Sequence, residues 1–262
     1  MSMHWIEAAI LGAIQGLTEF LPVSSSGHLV LGKELWTTLP ATNKVFDVYL
    51  HGVTLLVVLI VFRKRIVDLV KDKPMVVALA LSAVPAVVLV KYCGFKDAFE
   101  NADVNFVLAT EVVTGLVLLL GESVAQRKES ESSWPLWQAA LFIGFAQGLA
   151  ILPGLSRSGL TIAAALMLGW KRDKAFDFAF LMSIPVIGGA MLLKGLEIYK
   201  GVPPVVGTPV ISTGALLAGA VTAGLLGYLT LIGLRSWVQR GLRPFAYYCI
   251  ALGIGGWLWK MI

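Results

Sequence analysis

QGLTEFLPVSSSGH, from Gln15 to His28, is the stretch of sequence that decides the fold. Its first half continues an apolar helix in which Gln15 and Glu19 lie four residues apart and therefore share one face. Pro22 ends that helix, because proline lacks an N–H and disfavours helical geometry in the residue before it. Three serines, a glycine and a histidine follow before an apolar run resumes. A carboxylate, hydroxyls and an imidazole at a helix break indicate chemistry rather than packing.

The composition indicates a membrane protein. Of the 262 residues, 57% are hydrophobic and only 14% are charged, and the mean hydropathy is +0.81, whereas a soluble domain is about 25% charged. The net charge of +5 is modest and fits orientation signals better than nucleic-acid binding. No basic region with a cleavage site opens the sequence, so we expect no removable signal peptide. Cys93 and Cys249 match no metal spacing and predict no disulfide. We expect one polytopic, all-α membrane domain over residues 1–262.

Uncharged runs predict six transmembrane helices. They cover approximately residues 46–62, 74–91, 104–121, 176–193, 210–234 and 244–260. Two further apolar regions, 5–35 and 136–170, are each interrupted near the middle by proline and a Ser-rich turn. Each half of these regions is too short to cross a bilayer, and irregular backbone is tolerated at membrane depth only where protein buries it or it lines a wet cavity. We interpret both regions as re-entrant helix pairs, and two kinked full spans are the alternative.

The placement of lysine and arginine predicts the orientation in the membrane. Six spans put four loops on one side, namely residues 63–73, 122–135, 171–174 and 235–243. Those loops carry thirteen basic residues, and the other side carries seven. The richer side is expected to be cytoplasmic. Both termini and the first re-entrant pair are then periplasmic, and the second pair enters from the cytoplasm.

The two halves of the chain resemble each other. QGL at Gln15–Leu17 recurs at Gln147–Leu149, and LPVSSSG at Leu21–Gly27 recurs loosely as LPGLSRSG at Leu152–Gly159. The spacing is close to half of the chain, which predicts a duplicated unit with halves of approximately 1–131 and 132–262. Each unit would hold a re-entrant pair and three spans, and an odd number of spans inverts the second unit. Broken helices at matching positions of an inverted repeat predict a site between the halves at the membrane midplane.

The second break, PGLSRSGLT, carries an arginine in an apolar region. A charge there is costly and therefore usually functional, and the guanidinium of Arg157 suits bidentate contact with phosphate or carboxylate. Both breaks lead into a new helix whose N-terminal N–H groups and dipole favour an anion. The two breaks together predict a phosphate site. Glu19 can hold a hard divalent cation that bridges phosphate oxygens, and a serine or histidine can attack phosphorus while the other moves protons.

These residues resemble the undecaprenyl-diphosphate phosphatase family of bacterial inner membranes, the bacitracin-resistance type. That family pairs a Glu/Gln-x-x-x-Glu segment and a following Ser-rich turn with a PGxSRSxxT segment, and this chain carries QGLTE, PVSSSGH and PGLSRSGLT. The resemblance covers the whole chain in length, hydropathy and duplication. It implies hydrolysis of undecaprenyl diphosphate, a polyprenyl diphosphate lipid, to the monophosphate carrier of peptidoglycan synthesis, assisted by Mg²⁺ or Ca²⁺.

The resemblance implies a role for each motif residue. Ser25 and His28 are the implied reactive pair, Glu19 is the second motif acid and Arg157 is the phosphate clamp. The residues implied to bind phosphate with them are Ser24, Ser26, Gly27, Ser156, Ser158 and Thr161. Glu19 and Gln15 are implied to hold the metal, although an amide is a weaker ligand than the glutamate the family also uses at this position. The nucleophile stays open among Ser25, His28 and water, and any of the three serines of the first break can instead cap the next helix.

A transporter or flippase of a lipid phosphate or small anion is the alternative, because inverted repeats with broken helices are also transporter architecture. A carrier has no need of Ser25 and His28 beside Glu19, and a purely structural subunit leaves the polar breaks unexplained. Outside the motifs, Glu111 is expected to line the cavity or to hydrogen-bond another helix.

Polar residues near the span starts, and histidines without a motif, are assigned structural roles. Asp47 and Asp177 are expected to interact with helix dipoles. His4 and His51 are expected in core or surface positions.

Overall fold

The computed structural model describes residues 2–35, 44–95, 102–127, 133–200 and 210–261 of the chain, and in these residues it is almost entirely helical. The helices are α1 (Trp5–Thr18), α2 (Ser25–Leu35), α3 (Lys44–Val61), α4 (Arg63–Leu69), α5 (Lys73–Tyr92), α6 (Val104–Arg127), α7 (Leu136–Leu149), α8 (Arg157–Met167), α9 (Arg172–Leu181), α10 (Ser183–Tyr199), α11 (Thr213–Arg240) and α12 (Arg243–Lys260). Two short strands, β1 (Ser2–Met3) and β2 (Val210–Ile211), pair in parallel. Residues 36–43, 96–101, 128–132 and 201–209 lie outside the described residues, and 128–132 belong to the predicted loop 122–135.

The described helices include enough apolar length for a multi-pass membrane protein. Four stretches are long and apolar enough to cross a membrane, namely Lys73–Tyr92, Val104–Arg127, Arg172–Leu193 and Thr213–Arg240. A fifth candidate, Val45–Val61 with Arg63–Leu69, is bent by 73° at its break. These match five of the predicted spans. The sixth, α12, is helical over 18 residues but is not among them, because those 18 residues include Arg243 and Lys260 at its ends as well as several glycines, tyrosines and tryptophans. Six spans therefore stay a prediction.

Both interrupted regions form two helices separated by a break. In the first, α1 ends at Thr18, residues 19–24 form the break and α2 follows. In the second, α7 ends at Leu149 and α8 starts at Arg157. The second break turns at Gly154, whose φ of 87° is a conformation that glycine adopts at little cost. The helix–break–helix pattern is thus present in both regions, and its re-entrant position in a membrane stays a prediction.

Helices of the first half pack mainly against helices of the second half. α1 lies along α11, α5 lies along α7, α3 contacts α10, and α6 contacts α12. Glycines allow the closest of these approaches. A Cβ on Gly16 would lie 2.6 Å from the carbonyl oxygen of Ala223, and a Cβ on Gly144 would lie 2.8 Å from the Cα of Ser82. The pairing is reciprocal, since the broken helix of each half packs on a span of the other.

The four basic loops meet at one end of the helix bundle. Asp177 forms ion pairs with Arg65, at an N–O distance of 3.2 Å, and with Arg235, at 3.1 Å. Arg172 forms two hydrogen bonds, of 3.0 and 2.7 Å, with the Glu122 carboxylate. These ion pairs join α4, the end of α6, α9 and the end of α11. Asp177 therefore ties helices together through its carboxylate, in addition to any interaction with the dipole of its own helix.

Candidate active site

A cavity of about 470 Å³ lies where the two breaks meet, a size usual for small-molecule sites. Its polar lining consists of Glu19, Ser24, Ser25, Ser26, Asp47, His51, Gln147, Ser156 and Arg157. Apolar side chains form the rest of the wall and include Leu29, Val30, Ile187 and Met191. The cavity therefore presents polar groups from both breaks beside an apolar wall contributed by α2 and α10.

Glu19, at the end of α1, is the centre of the polar network. The residue is 7% exposed, and its carboxylate forms an ion pair with the guanidinium of Arg157 from the other break. Ser25 Oγ donates to Oε2 at 2.6 Å, and Gln15 Nε2 donates to the same oxygen at 2.9 Å. His51 Nε2 lies 3.5 Å from it. The structure thus brings together the acid, the serine and the arginine that the two motifs supply, and these contacts compensate a buried charge.

The turn that carries Ser25 is conformationally unusual. Ser24 has a φ of 60°, a left-handed conformation uncommon for residues other than glycine, and such residues concentrate at functional sites. Ser24 Oγ accepts from the N–H of Gly27 at 3.2 Å and lies 3.3 Å from the Oγ of Ser26. Ser24 therefore caps the start of α2, and Ser25, the next residue, is left to donate to Glu19.

Helix α6 fixes the second break from behind. Thr110 Oγ1 donates to the carbonyl of Pro153 at 2.6 Å, and Thr114 Oγ1 donates to the carbonyl of Gly154 at 3.0 Å. Both threonines are buried on one face of α6. Because the break has few hydrogen bonds of its own, these hydroxyls satisfy carbonyls that would otherwise be unpaired in an apolar surrounding.

The predicted phosphate-binding residues of the second break divide into two groups. Ser156 lines the cavity and caps α8, since its Oγ accepts from the N–H of Gly159 at 3.2 Å. Ser158 and Thr161 are not among the lining residues: Ser158 Oγ donates to the carbonyl of Leu21 at 2.9 Å, and Thr161 Oγ1 donates to the carbonyl of Arg157 at 2.7 Å. Ser158 thus ties the two breaks together, and Thr161 is held by its own helix.

His28 is turned away from the cavity. Its Nδ1 lies 2.7 Å from the carbonyl of Ser24, so Nδ1 carries the hydrogen, and its Nε2 lies 2.7 Å from the hydroxyl of Tyr248. The two rings stack with centroids 5.6 Å apart. His28 is not among the residues that line the cavity. The structure therefore does not bring the predicted proton carrier to the oxygens of Glu19, and its role stays a prediction that this arrangement does not favour.

His51, which sequence reasoning assigned to a core or surface position, lines the cavity instead. Its Nδ1 lies 2.8 Å from the carbonyl of Asp47, which holds the ring with Nε2 toward Glu19. Asp47 lines the same cavity. The spacing Asp-x-x-x-His, which puts both side chains on one face of α3, was the available signal.

Glu111 and Gly27 pack together behind the first break. Glu111 is fully buried in α6 and is not among the lining residues. In the described residues its carboxylate oxygens have no hydrogen-bond partner among oxygen and nitrogen donors, and its Oε1 lies 3.9 Å from His28 Nδ1. A Cβ on Gly27 would meet Glu111 Oε1. Gly27 therefore allows close packing against Glu111, and its contact with phosphate stays a prediction.

Comparison with known proteins identifies the family. The sequence matches the family described as "Bacitracin resistance protein BacA" over residues 8–255. The chain belongs to this family. It is 36% identical over 277 residues to an undecaprenyl-diphosphatase of Alcanivorax borkumensis, covering 98% of this chain and 99% of that protein. It is 38% identical over 258 residues to undecaprenyl-diphosphatase 4 of Bacillus cereus, covering 96% of each chain.

The oxygen atoms of Glu19 and Gln15 in this BacA-family chain can coordinate a hard divalent cation only if phosphate or water supplies the remaining coordination positions. Among the described residues, no group of three or more His, Cys, Asp or Glu side chains is placed to hold a metal ion. Gln15 Oε1 is buried beside Glu19 and lacks a hydrogen-bond partner there. A carboxylate and an amide oxygen suit a cation that takes its remaining ligands from phosphate and water, as Mg²⁺ commonly does.

Replacing Gly27 by alanine should destabilise the BacA-family chain, because the added methyl group would meet the Glu111 carboxylate. Overpacking of this kind costs about 1–3 kcal/mol, which a lower thermal midpoint in detergent would report. In a Glu111→Ala background the same substitution should cost much less. Equal costs of Gly27→Ala in the two backgrounds would show that Gly27 and Glu111 are not coupled.

Proposed function

We propose that this chain is an undecaprenyl-diphosphate phosphatase of the bacterial inner membrane, which releases phosphate and returns the monophosphate carrier for peptidoglycan synthesis. The observation that carries the proposal is the contact of Glu19 with both Ser25 and Arg157 inside one cavity. Membership in the BacA family, and its similarity to proteins named undecaprenyl-diphosphatase, support it. A lipid diphosphate also matches the cavity wall, which is polar at the breaks and apolar along α2 and α10.

The diphosphate is placed by the charges of the cavity. Arg157 is the first residue of α8, so its guanidinium and the N-terminal N–H groups of that helix face an anion together. The planar guanidinium can form two hydrogen bonds to one phosphate. The isoprenoid chain leaves along Leu29, Ile187 and Met191 toward the lipid. Binding of phosphate to Arg157 releases Glu19 from its ion pair.

Ser25 is the nucleophile in the proposed mechanism. Its Oγ attacks the terminal phosphorus while its proton passes to Glu19, which already accepts that hydrogen bond at 2.6 Å. The bond from the terminal phosphorus to the bridging oxygen breaks, and the lipid monophosphate leaves with the bridging oxygen. Glu19 passes that proton to the leaving lipid monophosphate. It then takes a proton from the water that attacks the phosphoserine and returns it to Ser25 Oγ as inorganic phosphate leaves. Arg157 stabilises the charge that develops on the transferred phosphoryl group.

Glu19 replaces His28 as the proton acceptor in this mechanism, because the ring nitrogens of His28 contact Ser24 and Tyr248. Direct attack by water is the competing route.

A divalent cation held by Glu19, with Gln15 Oε1 as a second ligand, would neutralise phosphate charge.

The proposed membrane arrangement has six spans and two re-entrant pairs in an inverted repeat. The ion pairs among the basic loops support a common cytoplasmic end. Asn105 lies at the opposite end of α6 from that cluster and accepts from Lys260 at 3.4 Å. Ala102, close to Asn105 in the chain, lines the cavity. These contacts support a cavity that opens on the periplasmic side, where both termini also lie.

Phosphate release from undecaprenyl diphosphate by the purified protein tests the proposed function. Wild type should turn over, and Ser25→Ala should lose at least about 100-fold in kcat because the nucleophile is gone. Ser123→Ala, in which the lost hydroxyl only bonds the carbonyl of Leu119, serves as the control and should retain activity. Retained turnover in Ser25→Ala would favour attack by water. Binding of substrate without any release by wild type would favour a carrier.

Arg157→Lys should lose about 100- to 1,000-fold in kcat, since a point charge cannot reproduce the guanidinium fork toward phosphate. The measurement is steady-state phosphate release. Arg65→Lys, at the exposed ion pair with Asp177, provides a matched control and should be close to wild type. Near-normal kcat in Arg157→Lys would show that the Arg157 guanidinium does not stabilise the transition state.

Labelling of the natural cysteine Cys93 tests the proposed orientation of the protein in the membrane. Cys93 is exposed just after α5, whereas Cys249 is buried. A membrane-impermeant maleimide should modify Cys93 in intact spheroplasts. In a Cys93→Ser background, Gln126→Cys at the basic end should react only after permeabilisation. The reverse pattern would invert the proposed orientation.

A further inference from the structure

Gln147 is a buried polar residue of the cavity that the mechanism above does not use. It lies two residues before the end of α7, is 2% exposed and lines the cavity with Ser156 and Arg157. Neither its Nε2 nor its Oε1 has a hydrogen-bond partner in the described part of the chain. Buried amides are almost always paired, so an unpaired amide that faces a cavity indicates a group that arrives with a ligand.

The duplicated sequence explains why Gln147 lacks a partner. Its counterpart in the first half is Gln15, which donates through Nε2 to Glu19 at 2.9 Å, four residues further along the chain. Four residues after Gln147 the chain has Ile151 instead of an acid. Ile151 also lines the cavity. The second half thus keeps the donor of the first half and has lost the carboxylate that would accept from it.

The acceptor for Gln147 should be an anionic oxygen. The same cavity holds the guanidinium of Arg157 and the start of α8, which both select for an anion. Glu19, the carboxylate at its centre, accepts from Gln15, Ser25 and Arg157. A phosphoryl oxygen can accept a hydrogen bond from Gln147 in the way that the Glu19 carboxylate accepts one from Gln15. Water in a cavity of this size can donate to Oε1.

We propose that Gln147 is a substrate-binding residue, whose Nε2–H donates to a phosphoryl oxygen of the lipid diphosphate. The inference rests on the proposed function, since it names a further contact to the same substrate. Gln147 acts on the bound diphosphate and not on the proton of Ser25. Its loss therefore weakens substrate binding more than it slows the chemical step.

Gln147→Leu separates this role from a structural one, because the two roles predict opposite effects on stability. Replacing an unpaired buried amide by an apolar side chain of similar size should leave the thermal midpoint without ligand unchanged or raise it. KM for undecaprenyl diphosphate should rise about tenfold, the loss expected for one hydrogen bond to a charged group, while kcat changes less than threefold. The upward shift of the midpoint caused by inorganic pyrophosphate should shrink.

Two further variants sharpen the test. Gln147→Glu keeps the shape of the side chain but repels an anion, so it should raise KM more than Gln147→Leu does. Gln138→Leu removes the same group from the same helix at a position outside the cavity lining and should change neither KM nor the pyrophosphate shift.

Unchanged KM and an unchanged pyrophosphate shift in Gln147→Leu would overturn the inference. A lower midpoint without ligand, with KM unchanged, would do so as well and would assign Gln147 to packing. Absence of phosphate release by wild type would instead overturn the proposed function. A pyrophosphate shift that still depended on Gln147 would then support the contact to phosphoryl oxygen alone.

Discussion

The ion pair between Glu19 and Arg157 is the interaction on which the candidate site depends. It joins residues 138 positions apart in the chain, and both lie at helix ends that need partners outside their own helices. A carboxylate and a guanidinium in an apolar surrounding are tolerated only when each compensates the other and further hydrogen bonds satisfy the remaining atoms. Ser25 and Gln15 supply those bonds on the side of the carboxylate. The position of the serine follows from this requirement.

The same pair accounts for the suitability of the cavity for an anion. Without a ligand, the guanidinium and the carboxylate neutralise each other and the cavity carries little net charge from them. A phosphate that binds the guanidinium leaves the carboxylate free to hold the serine proton. In the proposed mechanism, substrate binding and activation of Ser25 are therefore one exchange of hydrogen-bond partners. The threonines of α6, which hold the second break by its carbonyls, keep the geometry fixed during that exchange.

Much of this arrangement could be predicted from the sequence. The two histidines whose observed positions relative to the cavity differ from expectation, His28 and His51, do so for the same reason. Proline, serine-rich turns and duplicated motifs predicted both breaks and their meeting, because local chemistry decides where a helix ends. Motif membership could not tell which side of a helix faces the cavity. His28 belongs to the motif but faces Tyr248, whereas His51 lies outside it and faces Glu19. That distinction depends on how α2 and α3 are rotated by packing against other helices.

The last helix, α12, is less apolar than the candidate spans, and small residues contribute to this. This helix packs along α6, and close helix contacts in membranes favour small residues, which lower hydropathy. A Cβ on Gly253 would lie 2.6 Å from the carbonyl oxygen of Leu108. The buried residues of α12 are the small residues Ala246, Cys249 and Gly253, which form its contact with α6.

The reciprocal packing of the broken helices constrains how the chain is made. During synthesis α1 leaves the ribosome first, yet the helix it packs on, α11, is among the last to emerge. Until then the buried polar face of α1, with Gln15 and Glu19, has no counterpart from the second half. The first half therefore cannot complete the polar network of the candidate site until the rest of the protein has been translated. A chain that stopped after its first half would lack Arg157 and leave the Glu19 carboxylate without its ion-pair partner.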